Sequence, residues 1–218
     1  MTLNLAVAII LAILVMLAVA GYFIVRPRML NWGATPIEIG RSMPGDELIS
    51  AAGLITTRAI SINTSPEKVW PWLVQMGQGR GGFYSYDWLE NLIGLDIHNS
   101  NRIVPELQDL KPGDLIPFWH GAGVNVVVVE PRHLLVLAGT LNPPKEQAAG
   151  SGEVGGTWVF ALDESKSQET KLVVRSRVAK FPPLWLSAVF MRVLEPAHFI
   201  MERKMLRGIK ERAERFPE

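Results

Sequence analysis

His198 and Glu202 stand four residues apart on the apolar side of a stretch with helical periodicity. Turning about 100° per residue from His198 brings Glu202, Met205 and Ile209 onto one face. Met201, Leu206 and Ala213 flank that face, and Lys204, Arg207, Lys210, Glu211 and Glu214 take the other side. An imidazole and a carboxylate one turn apart have the form of an acid–base pair. A buried carboxylate is costly unless paired or protonated, so the same residues also suit a satisfied structural pair. They would then close on each other or on a strand arginine such as Arg175 or Arg177. Glu195-x-x-His198 resembles half of a di-iron carboxylate motif, but Pro196 intervenes and no second copy exists, so no metal is expected.

Other residues carry weaker chemistry. Gly77, Gly79 and Gly82 match G-x-G-x-x-G, yet a helix precedes them where a dinucleotide fingerprint needs a strand, and no cofactor is expected. The glycines suit a tight turn between helices. Arg80 within that turn either meets a ligand's acidic group or phosphate, or pairs with Asp87 or Glu90. Phe83, Tyr84, Tyr86 and Trp88 form an aromatic cluster that either fills core or borders a cavity mouth. His98, Asn99 and Arg102, and Trp119-His120 at a strand end, are either entrance residues or ordinary loop residues. No Ser-His-Asp order, metal-ligand spacing or phosphate loop is present.

Composition narrows the classes. The 22 basic and 21 acidic residues nearly cancel, which leaves no basic field for nucleic acid. The chain has no cysteine, which permits a reducing compartment without requiring one.

The element that places everything else is the run from Leu5 to Val25, 21 residues without a charge. As a helix it spans roughly 30 Å, a bilayer's hydrocarbon thickness. Tyr22 suits the interface, and Arg26 and Arg28 follow as headgroup anchors. A transmembrane anchor over residues 1–25 is the expected reading. A cleaved signal is second, with Ala18-Val19-Ala20 as a cleavage site but no basic n-region, and a buried core helix is third. The two arginines after the run put the remainder on the cytoplasmic side.

Residues 26–53 read as a juxtamembrane connector. Thr35-Pro36-Ile37-Glu38 has the form of a capping box, Pro44-Gly45-Asp46 is a turn, and Trp32, Ile37, Ile39 and Leu48 suggest packing. From Leu54 the pattern is a strand to Ile62, a helix opened by a second capping box at Thr64–Glu67, and another helix near Tyr86 to Ile93. Strands follow at Asp114–Phe118, Val124–Glu130, Leu134–Ala138, Thr157–Asp163 and Lys171–Ala179, with a hairpin at Pro131-Arg132-His133 and a mobile loop at Asn142–Gly156. Helical sequence closes the chain from Leu184 to about Arg215, with a break expected at Glu195-Pro196. The fold class is α+β.

That order, with Ile60-Ser-Ile-Asn-Thr-Ser-Pro-Glu-Lys-Val-Trp-Pro-Trp-Leu-Val-Gln-Met-Gly77, resembles the START/SRPBCC superfamily, the helix-grip fold of polyketide cyclases and lipid-transfer domains. The segment from Gln75 to Leu92 resembles a membrane-anchored bacterial subgroup. The resemblance covers residues 54–218 as a domain. It implies a curved antiparallel sheet around a long C-terminal helix and a cavity between them for an apolar ligand. Arg80, Tyr84, Tyr86, Trp88, Trp119, His198, Glu202 and Met205 are then the expected lining. The resulting expectation is a membrane-tethered protein that binds or transfers a lipid, isoprenoid or polyketide-like molecule. A cyclase, dehydratase or hydrolase using His198 and Glu202 is the alternative, and a tethered interaction module with a filled core is the third. The expected partners are the bilayer and the apolar ligand.

Overall fold

A computed structural model describes residues 2–119, 122–140, 154–164, 169–181 and 183–215. The first helix, α1, runs Thr2–Leu30, five residues past the uncharged segment, with Pro27 inside its last turn. Its residues from Leu5 to Val25 face outward on nearly every side, and it is long and apolar enough to cross a membrane.

The connector is compact. Thr35 caps α2 (Pro36–Gly40) with the full capping box, accepting from Glu38 N while Glu38 returns a bond to Thr35 N. Trp32 packs on the core as expected. Ile37, Ile39 and Leu48 do not; they stay exposed, and Met43 and Ile49 are the buried apolar side chains of this stretch.

Six strands make one antiparallel sheet: β1 (Ala52–Ile62), β2 (Leu115–Trp119), β3 (Ala122–Glu130), β4 (Leu134–Thr140), β5 (Val154–Glu164) and β6 (Thr170–Ala179). Their order is β1-β6-β5-β4-β3-β2, so the first and last strands are neighbours. Helices α3 (Pro66–Val74) and α4 (Asp87–Leu92) stand between β1 and β2, and α5 (Leu184–Arg215) closes the chain. Strand alternation splits the sheet into two faces. Leu135, Leu137, Phe160, Leu162, Leu172 and Val174 join Met205, Leu206 and Ile209 of α5 in the main core. Ala59, Val136, Val159, Ala161 and Val173 look the other way and are covered by Met43 of the connector.

Two local differences from the sequence reading have clear causes. The cap of α3 is Ser65, not Thr64, because Pro66 at the first helical position holds the residue before it extended, at φ −75° and ψ 160°. The carbonyl of Thr64 instead accepts from Thr170 Oγ1 at 2.6 Å. Helix α5 does not break at Glu195-Pro196 but continues through it for all 32 residues. Proline inside a helix costs about 3 kcal/mol. Contacts on both sides offset that cost: Glu195 on Arg26 before the proline, and Glu202 on Arg58 after it. The loop expected at Asn142–Gly156 lies mostly outside the described residues.

One glycine in α5 sets how closely that helix approaches the site. A Cβ on Gly208 would lie 2.3 Å from the carbonyl oxygen of Tyr84. Tyr84 itself holds φ at 57°, so the backbone leading into α4 is pressed against the helix where no side chain fits.

Candidate functional site

His198 and Glu202 meet the residue that the sequence reading passed over, Arg58 of β1. Arg58 is wholly buried and forms an ion pair with Glu202 Oε2. Its Nη1 is 3.2 Å from His198 Nδ1, and its Nε donates to the Met29 carbonyl at 2.8 Å. Glu202 Oε1 accepts from Trp158 Nε1 at 3.0 Å and from Ser176 Oγ at 3.2 Å. Arg175 and Arg177 are elsewhere, on the outer face, both paired with Asp46. The cluster therefore joins β1, β5, β6 and α5, and reaches the last turn of α1 through one backbone oxygen.

The geometry assigns the imidazole tautomer. Arginine only donates, so Nδ1 of His198 accepts and the ring proton resides on Nε2, 3.6 Å from Glu202 Oε1. Both ring nitrogens thus face the cluster, although about a third of the side chain is exposed. Burial holds His198 below the ordinary imidazole value; Glu202 opposes that shift and Arg58 adds to it. The unfolded chain then binds a proton at this ring that the folded chain does not. The stability this contributes is present above the unfolded value of about 6.5 and is lost as pH falls from there through the depressed folded value. Chemical unfolding midpoints should accordingly drop from about pH 7.5 to 5.5, and His198→Gln should flatten that slope. An unchanged slope in the variant would assign the acid sensitivity to other groups.

Beside this cluster stands an aromatic wall. Phe83, Phe118 and Trp158 form a triangle with ring centroids 5.1, 6.3 and 6.2 Å apart, and Phe160 continues it at 4.8 Å from Trp158. Phe83 is buried and Phe118 is exposed, so the wall runs from interior to surface. Strand register locates it. Trp158 pairs with Ser176, three residues before the end of β6, and Ala52 pairs with Ala179 at that same end. Trp119 and Ala122, and Thr140 and Val154, pair at that end too. The wall and the polar cluster therefore share the sheet end that Met191 of α5 abuts through Gly53.

The other candidates divide. Met205 is buried in the main core. Arg80 donates to the carbonyls of Met76 at 3.1 Å and Val74 at 3.0 Å, closing the end of α3. Tyr84 is buried edge-on to Trp72 at 5.9 Å, with the Arg212 guanidinium 4.8 Å above its ring, and burial raises its phenol well above the usual value. Tyr86 is half-buried with Lys204 6.0 Å from its ring, and Trp88 is exposed on α4. The side chain of Trp119, like His120, lies outside the described residues. Asn99 holds the turn, accepting from Tyr84 N at 2.6 Å, and His98 is exposed against Asp96. The glycine turn closes on itself through a Gly77–Gly82 bridge, with φ of 132° and 76°. Glu90 is buried on α4 and is raised to about 7 by burial, with Asp87 adding. No cluster with metal-ligand geometry occurs among the described residues.

A separate open groove of about 540 Å³ lies between the start of the connector just after α1, β1, the start of β6 and the last turns of α5, lined in part by Trp32, Ile60, Lys171, Arg207 and Lys210. It shares no residue with the polar cluster. Two of its cations are engaged, Lys171 with the Gly33 carbonyl at 3.2 Å and Lys210 with the Ser61 carbonyl at 2.6 Å.

No family model matches the chain, and no curated protein matches it. Solved structures do resemble it loosely. Protein MLL2253 from Mesorhizobium loti is 14% identical, covering 75% of this chain and 100% of that one at a TM-score of 0.39. The Aha1 dimer from Colwellia psychrerythraea is 18% identical over 74% and 97%, at 0.41. A protein from Thermobifida fusca is 13% identical over 74% and 93%, at 0.45. Scores below 0.5 describe a distant likeness, so the architecture rests on the sheet order and the helix held against it. That architecture, an α+β domain whose six-stranded antiparallel sheet packs on a long C-terminal helix, is compatible with a helix-grip-like fold.

Proposed function

We propose that this chain is a membrane-tethered helix-grip domain that takes an apolar molecule of lipid, isoprenoid or polyketide-like class between its sheet and α5. The observation that carries the reading is the position of the aromatic wall. Phe83, Phe118 and Trp158 run from core to surface at the sheet end that adjoins the outward-facing apolar surface of α1 and α5. An apolar molecule leaving a bilayer around α1 meets aromatic carbon first, and the Arg58–Glu202 pair then marks the polar end of its path. Aromatic side chains favour such partition because each offers a large apolar area at little conformational cost.

The test uses the full chain in nanodiscs of defined lipid supplemented with a cell lipid extract. Re-isolated protein should carry one apolar species enriched over its level in the surrounding bilayer, read by mass spectrometry. Phe118→Gln should lower that enrichment several-fold without changing the circular dichroism. A bound fraction identical to the bilayer composition would overturn the reading.

The acid–base alternative is favoured by one observation, the partial exposure of His198 beside Glu202. It requires His198 to release Arg58 before a ring lone pair can face a substrate. Conversion of the bound species that stops in Glu202→Gln while binding persists would select it.

A further inference from the structure

The first three turns of α5 are built the wrong way round for water. Ser187, Met191 and Glu195, spaced four apart, face the protein and are buried. Leu184, Trp185, Val189, Phe190, Val193 and Leu194 face outward, with Trp185 and Val193 each 69% exposed. A helix on a soluble domain places its large apolar side chains inward and its polar ones outward. From Met205 onward the same helix does so: Met205, Leu206 and Ile209 are buried, and Arg207, Glu211 and Glu214 are exposed. The dense run of exposed apolar side chains, Leu184 to Leu194, lies in the segment beside α1, with Ile200 alone beyond it.

Contacts between the two helices rise together along both. The Arg192 guanidinium lies 5.6 Å over the Tyr22 ring, Arg26 grips Glu195 with two bonds of 2.7 Å, and in the turn just after α1 Trp32 has Arg203 and Arg207 at 5.2 and 5.8 Å. The helices therefore run side by side in the same direction. Going back from Arg192 to Leu184 covers about 12 Å beside the apolar turns of α1 that precede Tyr22.

We propose that Leu184–Leu194 inserts into the bilayer leaflet next to α1, so that the domain is held by a parallel two-helix wedge. This rests on the membrane reading of α1. The occupant of the exposed face is lipid because the face is continuous with the apolar surface of α1 and its charges end at one level. Arg26, Arg192 and Glu195 gather there with Tyr22, and the carboxylate that would burden an inserted helix is neutralised by Arg26. Part of the backbone entering α5 is also satisfied within the protein. Phe181 N–H goes to Ser187 Oγ at 3.3 Å, Pro182 and Pro183 have no N–H, and the Pro183 carbonyl accepts from Leu186 and Ser187. A reach of about 12 Å is under half the hydrocarbon thickness, so the wedge enters one leaflet only. It would hold the aromatic wall at that leaflet's surface.

The absence of native cysteine allows a direct test. Single spin labels are placed through Trp185→Cys, Val189→Cys and Leu14→Cys, with Lys111→Cys as an aqueous reference. The full chain is studied in phosphatidylcholine–phosphatidylglycerol vesicles by collision with oxygen and with a water-soluble nickel chelate. Labels at 185 and 189 should favour oxygen over nickel as strongly as the label at 14, and the label at 111 should show the reverse. If 14 is in lipid while 185 and 189 collide with nickel, the wedge is overturned and the anchor stands. If 14 itself collides with nickel, both fall. Spin–spin coupling between copies at 185, without an oxygen signature, would give the face to a second copy and also overturn the proposal.

Discussion

Arg58→Ala is expected to destabilise the domain by about 3–5 kcal/mol, the usual cost of removing one partner from a buried ion pair. The size follows from what remains. Glu202 is almost wholly buried, and without Arg58 its carboxylate keeps only Trp158, Ser176 and a neutral imidazole. The Met29 carbonyl also loses its donor, so the end of α1 keeps its hydrogen-bonded tie to the sheet only through the Trp32 and Gly33 carbonyls, which accept from Ala59 N and Lys171 Nζ. Glu202→Gln should cost a comparable amount, because it leaves the Arg58 guanidinium buried without a counter-charge. The informative variant is the pair Arg58→Met with Glu202→Gln. Its amide oxygen still accepts from Trp158 and Ser176, and no charge is left inside, so it should recover more than half of either single loss. Urea unfolding of the full chain in mild detergent, followed by near-ultraviolet circular dichroism on wild type, Arg58→Met, Glu202→Gln and the double variant, supplies the four stabilities of the cycle. A loss below about 1 kcal/mol for Arg58→Ala would mean that water reaches the pair and that the cluster is not a closed polar core.

This cluster shows which parts of the site can be read along the chain and which cannot. His198 and Glu202 were legible because helical spacing places both on the apolar face of α5, and a polar residue on such a face stands out. Their partner was not. Alternation within β6 already argues against Arg175 and Arg177, since Val174 and Ser176 are the residues turned towards α5 and the odd positions face away. Choosing Arg58 instead requires knowing that β1 lies beside β6, a pairing between the two ends of the domain. Trp158 and Ser176 come from the same non-local register. The strands were legible for the opposite reason, because period-two alternation and turn residues are local signals, although the starts of β1, β3 and β5 and the end of β4 lie two or three residues beyond the expected bounds. The break expected at Pro196 shows the limit of local signals: proline weakens the helix by itself, and contacts from α1 and β1 keep it whole.

The connector depends on one side chain in the same way, and Arg175→Ala should release it. Arg175 is buried and donates five bonds: to Thr57 Oγ1 at 3.0 Å, to the Arg41 carbonyl at 2.7 Å and Asp46 Oδ2 at 2.8 Å, and to the Glu38 and Ile39 carbonyls at 2.8 and 2.9 Å. Three of these acceptors are backbone oxygens of α2 and the residue after it, so the guanidinium fork does for this segment what a neighbouring strand would do. Asp46 in turn accepts from Met43 N at 3.0 Å, and Met43 is the residue that covers Val136, Val159 and Val173 on the outer face. Removing the guanidinium should cost about 3–5 kcal/mol and expose that face. Arg175→Lys should not rescue it, because one ammonium with three donors cannot span acceptors on both sides of the fork. Amide hydrogen exchange separates a local from a global effect. In Arg175→Ala the amides of Ile39, Arg41, Met43 and Asp46 should lose protection, while those of β5 and β6 retain it under native conditions. Protection unchanged across residues 36–49 would show that the connector holds its place through Met43 and Ile49 alone. The stabilising role would then pass from the arginine to the apolar contact beneath it.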